Sequence, residues 1–100
     1  MKTIITFKQI DHSDAVKEYI TTHADRIEKY GLKDMELHLT LTKERHLCLT
    51  EAALTAKNFR AHVEGSTDDV YSSINQALDR MEKLLQKRTT KIKRARTAAI

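Results

Sequence analysis

The sequence predicts an α+β fold with the order β-α-β-β-β-α, in which a four-stranded sheet carries two helices packed on one face. Four segments alternate apolar and polar residues, and two longer segments repeat apolar residues at the helical period. Because each predicted strand is polar on one side, the sheet needs cover on one face only. The 100 residues, 40% hydrophobic and without proline, suit one domain spanning 1–100.

The first strand and the first helix are predicted within residues 2–31. Apolar and polar side chains alternate along residues 2–8, which indicates a strand. Ser13, or Asp11 just before it, is suited to cap the helix that follows, and Gly31 is suited to end it. The apolar stripe of this helix consists of Val16, Tyr19, Ile20, Ile27 and Tyr30.

The middle of the chain predicts three strands joined by short turns. Residues 35–42 alternate most regularly, with leucines on one face and polar side chains on the other. A polar turn at 43–46 leads to a less regular strand at 47–55, which is rich in alanine. A tight turn at 57–58 then precedes a fourth strand at 59–64.

The last helix is predicted to open at 65–67, with Asp68 and Asp69 placed at the positive end of its dipole. Its apolar stripe keeps a helical period for about six turns. That stripe consists of Val70, Ile74, Ala77, Leu78, Met81, Leu85 and Ile92.

Positive charge is concentrated at the C-terminal end of this helix, at about 80–96. Residues 1–79 carry ten basic and thirteen acidic side chains, whereas residues 80–100 carry eight basic and one acidic. A rotation of about 100° per residue gathers five cations beside the apolar stripe, and we call this set the basic ridge. The basic ridge consists of Arg80, Lys83, Lys87, Lys91 and Arg94. The opposite flank carries Asn75, Asp79, Glu82 and Gln86.

The basic ridge predicts a polyanion-binding surface. Charges on an exposed helix usually serve solubility, but such faces mix both signs, and this ridge contains no acid. Neighbouring cations about 5–6 Å apart repel one another, and successive phosphates would relieve that repulsion. Structured RNA is therefore the predicted ligand.

The first helix offers further candidate contacts. Arg26 and Lys29 lie together on one side of its apolar stripe. His23 lies near the centre of the stripe, so it is either a partly buried core histidine or an edge residue in the seam between the helices that touches RNA. Arg88 falls on the apolar stripe of the last helix, where its stem could snorkel or the helix has outrun the core.

The sequence contains no recognisable catalytic or metal-binding arrangement. Cys48 is the only cysteine, the histidines lack metal-ligand spacing and no carboxylate pair forms an acid–base frame. We therefore expect no enzyme activity, no catalytic residue, no metal and no cofactor. A secretory signal and a membrane-spanning segment are also not apparent, which predicts a cytoplasmic protein without a membrane partner.

The order of elements and the last helix resemble the ribosome hibernation promoting factor family, whose relatives include ribosome-associated translation inhibitors and ribosomal subunit interface proteins. The last helix of that family opens with an Asp-Met-Tyr-x-x-Ile pattern and ends in spaced lysines. The matching positions here are Asp69, Tyr71, Ile74, Asp79, Leu85, Lys87, Lys91 and Lys93. The first helix matches through Ala15, Glu18, Tyr19, Ile27, Glu28 and Tyr30.

The resemblance implies binding to the small ribosomal subunit at its decoding region, with silencing of ribosomes in starved or stationary-phase cells. Carried over by position, the contacts to ribosomal RNA would be Arg26, Arg80, Lys83, Lys87, Arg88 and Lys91, with His23 where a lysine is usual. Because the chain stops at Ile100, it resembles a short form, which in some bacteria acts with a separate small modulation factor. We expect a monomer off the ribosome.

Two other interpretations remain open at the level of sequence. The basic last helix could dock on an acidic protein, or it could bind structured RNA in general rather than the ribosome. An enzyme acting on RNA would need a catalytic constellation that the residues do not offer.

Overall fold

The protein folds as a four-stranded sheet covered on one face by helices, which confirms the predicted class. The computed structural model describes the backbone of residues 1–98 and the side chains of residues 1–88. In chain order the elements are β1 (Lys2–Lys8), α1 (Asp14–His23), α2 (Asp25–Glu28), β2 (Glu36–Glu44), β3 (Leu47–Ala56), β4 (Phe59–Thr67) and α3 (Val70–Ala98).

The strands follow one another in space in the order β1-β2-β3-β4. β1 pairs with β2 in parallel, through the crossover of the first helical region, and the other two pairs are antiparallel hairpins. One register row, Ile5, Leu39, Ala52 and Val63, crosses all four strands on the covered face. β1 and β4 are therefore the two edges of the sheet.

The core lies between the covered face of the sheet and the helices. Its largest fully buried apolar side chains are Ile20, Ile27, Leu37, Leu39, Leu41, Leu54, Ile74, Leu78, Met81 and Leu85. The predicted stripe of the last helix is thus buried from Ile74 to Leu85, with Val70 half-buried at its start. Ile92, the last predicted member, lies outside the described side chains.

The predicted first helix is interrupted at one residue, Ala24, which divides it into α1 and α2. Ser13 rather than Asp11 caps α1, because its hydroxyl accepts a hydrogen bond from the Val16 amide at 3.2 Å. Gly31 ends the helical region with a φ of +64°, the left-handed conformation predicted for it.

The predicted start of the last helix at 65–67 is wrong. These residues continue β4, where Gly65 pairs with Thr50 and Thr67 pairs with Cys48. The helix begins at Val70, and Asp69 caps it by accepting a hydrogen bond from the Ser72 amide at 2.9 Å. The physical role of Gly65 is to let α3 approach the strand closely.

α3 crosses β4 at very close range around Gly65. A Cβ atom on Gly65 would overlap the Ser73 carbonyl oxygen and lie 2.9 Å from the Ala77 amide nitrogen. Beside this contact the buried hydroxyls of Thr50 and Ser73 hydrogen-bond at 2.8 Å, which satisfies two polar groups inside the core. The start of α3 is therefore fixed on β3 and β4 by both shape and hydrogen bonding.

We expect Gly65→Ala to lower the free energy of unfolding by about 2–3 kcal/mol, because the added methyl group overlaps helix backbone that cannot move independently. Gly31→Ala is the matched control: no atom lies within 4 Å of its Cβ position, so only its left-handed backbone is strained, at roughly 1 kcal/mol. Urea unfolding followed by circular dichroism measures both. If Gly65→Ala lowered the free energy of unfolding by no more than Gly31→Ala does, the close approach of α3 to β4 would be contradicted.

Candidate nucleic-acid interface

The two flanks of α3 face different parts of the protein. One flank lies beside β4, because α3 runs along that edge strand in the opposite direction, with Arg80 against Glu64 and Arg88 against Phe59. The other flank faces α1 and α2, where Asp79 and Glu82 meet the first helical region. The separation of basic and acidic side chains predicted around the helix is present in the described part of α3.

Two arginines on the β4 side are anchored to that strand. Arg80 donates a hydrogen bond from Nη1 to the Glu64 carbonyl oxygen at 2.5 Å. Arg88 lies with its Cζ atom 5.4 Å from the centroid of the Phe59 ring, a cation–π contact. A guanidinium has five donor hydrogens, so these contacts orient each arginine and leave donors for an outside ligand.

Two lysines of the basic ridge, Lys83 and Lys87, are exposed. Among the residues whose side chains the structure describes, Lys83 and Lys87 form no ion pair and no side-chain hydrogen bond. One helical turn separates them, so they extend from the same side of α3 about 5–6 Å apart at Cβ. Lys91 and Arg94, the remaining members of the ridge, lie outside the described side chains.

Arg26 and Lys29 do not join the basic ridge, because they pair with acids on the opposite flank of α3. The Arg26 guanidinium donates to Glu82 from Nε at 3.0 Å and also contacts Asp79. Lys29 Nζ lies 3.6 Å from the same Glu82 carboxylate. The hydrogen bond to Asp79 is the main cause that raises the pKa of Arg26 above its ordinary value, against the opposing effect of partial burial and with support from Glu82.

His23 lies half-buried at the C-terminal end of α1. Its ring stacks at a tilt on Tyr19, with centroids 4.0 Å apart, and Tyr19 in turn meets Tyr71 edge-on at 4.9 Å. The Tyr19 hydroxyl donates to Asn75 Oδ1 at 2.8 Å, which links the helices. His23 is therefore partly buried beside Tyr19, the side chain that joins α1 to α3, and its contact with RNA stays a prediction.

The open face of the sheet carries polar side chains without a metal-binding group. His38 and His62 both pair in register with Ala53, so they flank it on this face. Among the described side chains, no set of three or more His, Cys, Asp or Glu residues is placed to hold a metal ion. Within the same part of the chain, no helix has the length and apolar character needed to cross a membrane.

The contacts that sequence reasoning missed are those between distant elements. Asp79 and Glu82 are spaced three apart, as Arg26 and Lys29 are, but such spacing indicates ion pairs only within one helix, so it gives no signal for pairs between distant elements. The Arg80 contact had no signal, because its acceptor is a backbone carbonyl.

The fold and the cationic side of its last helix define a class of protein: a small α+β domain that presents an exposed basic helix beside an edge strand. The chain belongs to the family described as Sigma 54 modulation protein / S30EA ribosomal protein, whose profile matches residues 3–93.

Relatives with curated names align with most of the chain. A ribosome hibernation promoting factor from Salmonella typhimurium is 23% identical over 93 residues, which cover 93% of this chain and 98% of that protein. A ribosome-associated factor Y from Haemophilus influenzae is 25% identical over 83 residues, which cover 83% of this chain and 78% of that protein.

Solved structures share the fold at lower sequence identity. A ribosomal subunit interface protein from Coxiella burnetii superposes with a TM-score of 0.79 at 16% identity, covering 90% of this chain and 99% of that one. The N-terminal domain of Protein Y from Thermus thermophilus gives a TM-score of 0.78 at 20% identity, covering 87% and 98% respectively.

We expect Arg26→Gln to lower the free energy of unfolding by about 1–2 kcal/mol, because it leaves the Glu82 carboxylate, whose side chain is only 14% exposed, without its main partner. The control is Lys29→Gln, with an expected loss below about 0.5 kcal/mol, since that lysine is 64% exposed. Urea unfolding at neutral pH measures both variants. Equal losses would show that the Arg26 contacts do not stabilise the packing of α2 on α3.

Proposed function

We propose that this protein binds the small ribosomal subunit at its decoding region and silences translation in starved or stationary-phase cells. Membership of the ribosomal protein family and the names of the curated relatives support association with the ribosome. The single observation that carries the mode of binding is the exposed pair Lys83 and Lys87, which has no ion-pair partner among the described side chains and lies on a helix side whose sequence contains no acid. Binding requires no chemistry, so the protein acts by occupancy.

The proposed contact is between the basic ridge and the phosphate backbone of ribosomal RNA. Lysines are point charges on flexible stems, which suits phosphates of varied position, whereas Arg80 is preoriented by its bond to β4 and can present a planar fork. The helix already holds the backbone of these residues in a fixed line, so the backbone loses little conformational entropy when the cations bind. Affinity then depends mainly on counterion release and falls steeply with salt.

The remaining candidate residues are proposed to contribute unequally to RNA binding. Arg88, which lies against Phe59 on the β4 side of α3, is a proposed RNA contact. Lys91 and Arg94 are proposed contacts on the helical periodicity of the sequence alone. Arg26 and Lys29 would have to exchange their carboxylate partners for phosphates, so we propose that they contribute less. We further propose that the protein works in the cytoplasm as a monomer off the ribosome, with a small modulation factor as a cooperating partner.

We expect the double variant Lys83→Glu/Lys87→Glu to reduce affinity for purified small subunits by at least about tenfold, because two phosphate contacts become repulsive. The matched control is Lys2→Glu/Lys8→Glu, which makes the same change in net charge on the exposed positions of the opposite sheet edge. Co-sedimentation at fixed salt measures both, and circular dichroism checks the helices. A similar loss of affinity in both variants would show that binding depends on net charge and not on the position of Lys83 and Lys87.

An acidic protein is the alternative ligand for the basic ridge, and nuclease treatment separates the two. If ribosomal RNA is the ligand, digestion of the subunit with RNase should release the protein from the pelleted complex. Retention on the remaining proteins would favour the protein-docking alternative. A ribosome profile of starved cells, probed for this chain, tests the cellular part of the proposal.

A further inference from the structure

Three exposed cations lie outside α3, at the end of the sheet that the second half of α3 reaches. Lys57 lies in the two-residue turn between β3 and β4, Arg60 follows in β4, and Lys33 lies in the loop before β2. The backbone amide of Lys57 donates to the Lys33 carbonyl at 2.8 Å, so the turn and the loop are joined. We call Lys33, Lys57 and Arg60 the hairpin patch.

The side chains of the hairpin patch have no intramolecular role visible in the described part of the chain. All three residues are exposed, and there none forms an ion pair or a side-chain hydrogen bond. Two acids lie near: Asp34 adjoins Lys33 in the chain, and Glu36 shares a register row with Arg60 across Thr55. Neither acid forms an ion pair with the patch among these residues.

The hairpin patch adjoins the cationic side of α3 through Phe59. The Phe59 ring lies under Arg88, at 5.4 Å, and Phe59 is the residue immediately before Arg60. Successive residues of a strand point to opposite faces, so Phe59 faces α3 and Arg60 faces the open side of the sheet. Cations therefore occur on both sides of the first residues of β4, around an edge that has no neighbouring strand.

The backbone at this corner is well fixed. The turn is the two-residue type, with Asn58 in the left-handed region at a φ of 63°, and it is held by the hydrogen bond to the Lys33 loop. Cations on a fixed turn lose little backbone freedom when they meet a phosphate. The corner contributes charge and a rigid position, without groups arranged to distinguish bases.

We propose that the RNA bound by the basic ridge also crosses the start of β4 and contacts the hairpin patch through its sugar-phosphate backbone. This inference rests on the function proposed above, and it makes the β3–β4 hairpin a second, sequence-independent anchor beside the helix. The ligand would be one continuous RNA surface that meets α3 with one segment and the hairpin with another. Lys57 and Arg60 are the principal proposed contacts, and Lys33 is a secondary one.

The test is the salt dependence of binding to purified small subunits, compared between neutralising variants. Log affinity falls with log salt, and each phosphate contact removed should reduce the magnitude of that negative slope by about 0.7–0.9. Lys57→Gln/Arg60→Gln should therefore reduce the magnitude by about 1.4–1.8 and weaken binding at low salt. The control Lys2→Gln/Lys8→Gln removes the same charge from the far edge of the sheet and should leave the slope unchanged. Thermal melts confirm that each variant is folded.

The outcomes distinguish this inference from the function on which it rests. If the unmodified protein does not bind the subunit, the proposed function fails. Suppose instead that the unmodified protein binds, that Lys83→Gln/Lys87→Gln reduces the magnitude of the salt slope, and that Lys57→Gln/Arg60→Gln behaves as the control. The helix contacts then stand, and the hairpin anchor is overturned. If the hairpin variant weakens binding equally to subunits digested with RNase, a protein contacts the hairpin, and the inference is likewise overturned.

Discussion

The contact between Gly65 and the start of α3 is the constraint on which the arrangement of this protein depends. Helix backbone lies against strand backbone with no room for a side chain between them, and the Thr50–Ser73 hydrogen bond fixes the same position. From that fixed start, burial of the stripe from Ile74 to Leu85 keeps α3 along β4 toward the β3–β4 hairpin. The docking point and the buried stripe together decide which side of the helix faces the edge strand, and hence where the basic ridge lies.

α3 uses its charges differently on its two flanks. On the side of α2, Asp79 and Glu82 neutralise Arg26 and Lys29, which helps to hold the helices together. On the side of β4, Lys83 and Lys87 have no acid to neutralise them in the described part of the chain. Repulsion between exposed like charges amounts to only a few tenths of a kcal/mol per pair, so the fold tolerates it. The larger free energy becomes available when counterions leave an RNA ligand.

Local patterns were sufficient to predict most of the elements but few of the contacts between them. Residues 35–42 predicted β2 because leucine alternation survives any tertiary context in which one face is buried. The start of the last helix was predicted too early because a glycine that precedes a helix and a strand glycine that lets a helix pack closely are identical in sequence. The interruption at Ala24 has no sequence signal either, since alanine is the best helix former.

In the candidate site, too, relations within one element were predictable from the sequence and contacts between elements were not. Helical periodicity placed Arg80, Lys83 and Lys87 together, because their relation depends on one helix only. Arg26 was grouped with them because its partners, 53 and 56 residues further along, could not be identified from its own helix. The hairpin patch has no sequence signal for a similar reason: Lys33, Lys57 and Arg60 are isolated in sequence, and Lys33 meets the turn at Lys57 only when the sheet has formed.

The capping residue of α3 lies at the end of the protein opposite its lysines, and this separation of sign affects how the protein would approach a ligand. Asp69, with Asp68 and Asp11, lines a groove at the first turn of the helix, whereas Lys83 and Lys87 follow about 20 Å further along the axis. These side chains separate negative from positive charge along the axis of α3. In the field of a polyanion this separation favours approach with the lysines inward before contact, so that a larger share of diffusional collisions occurs in a productive orientation.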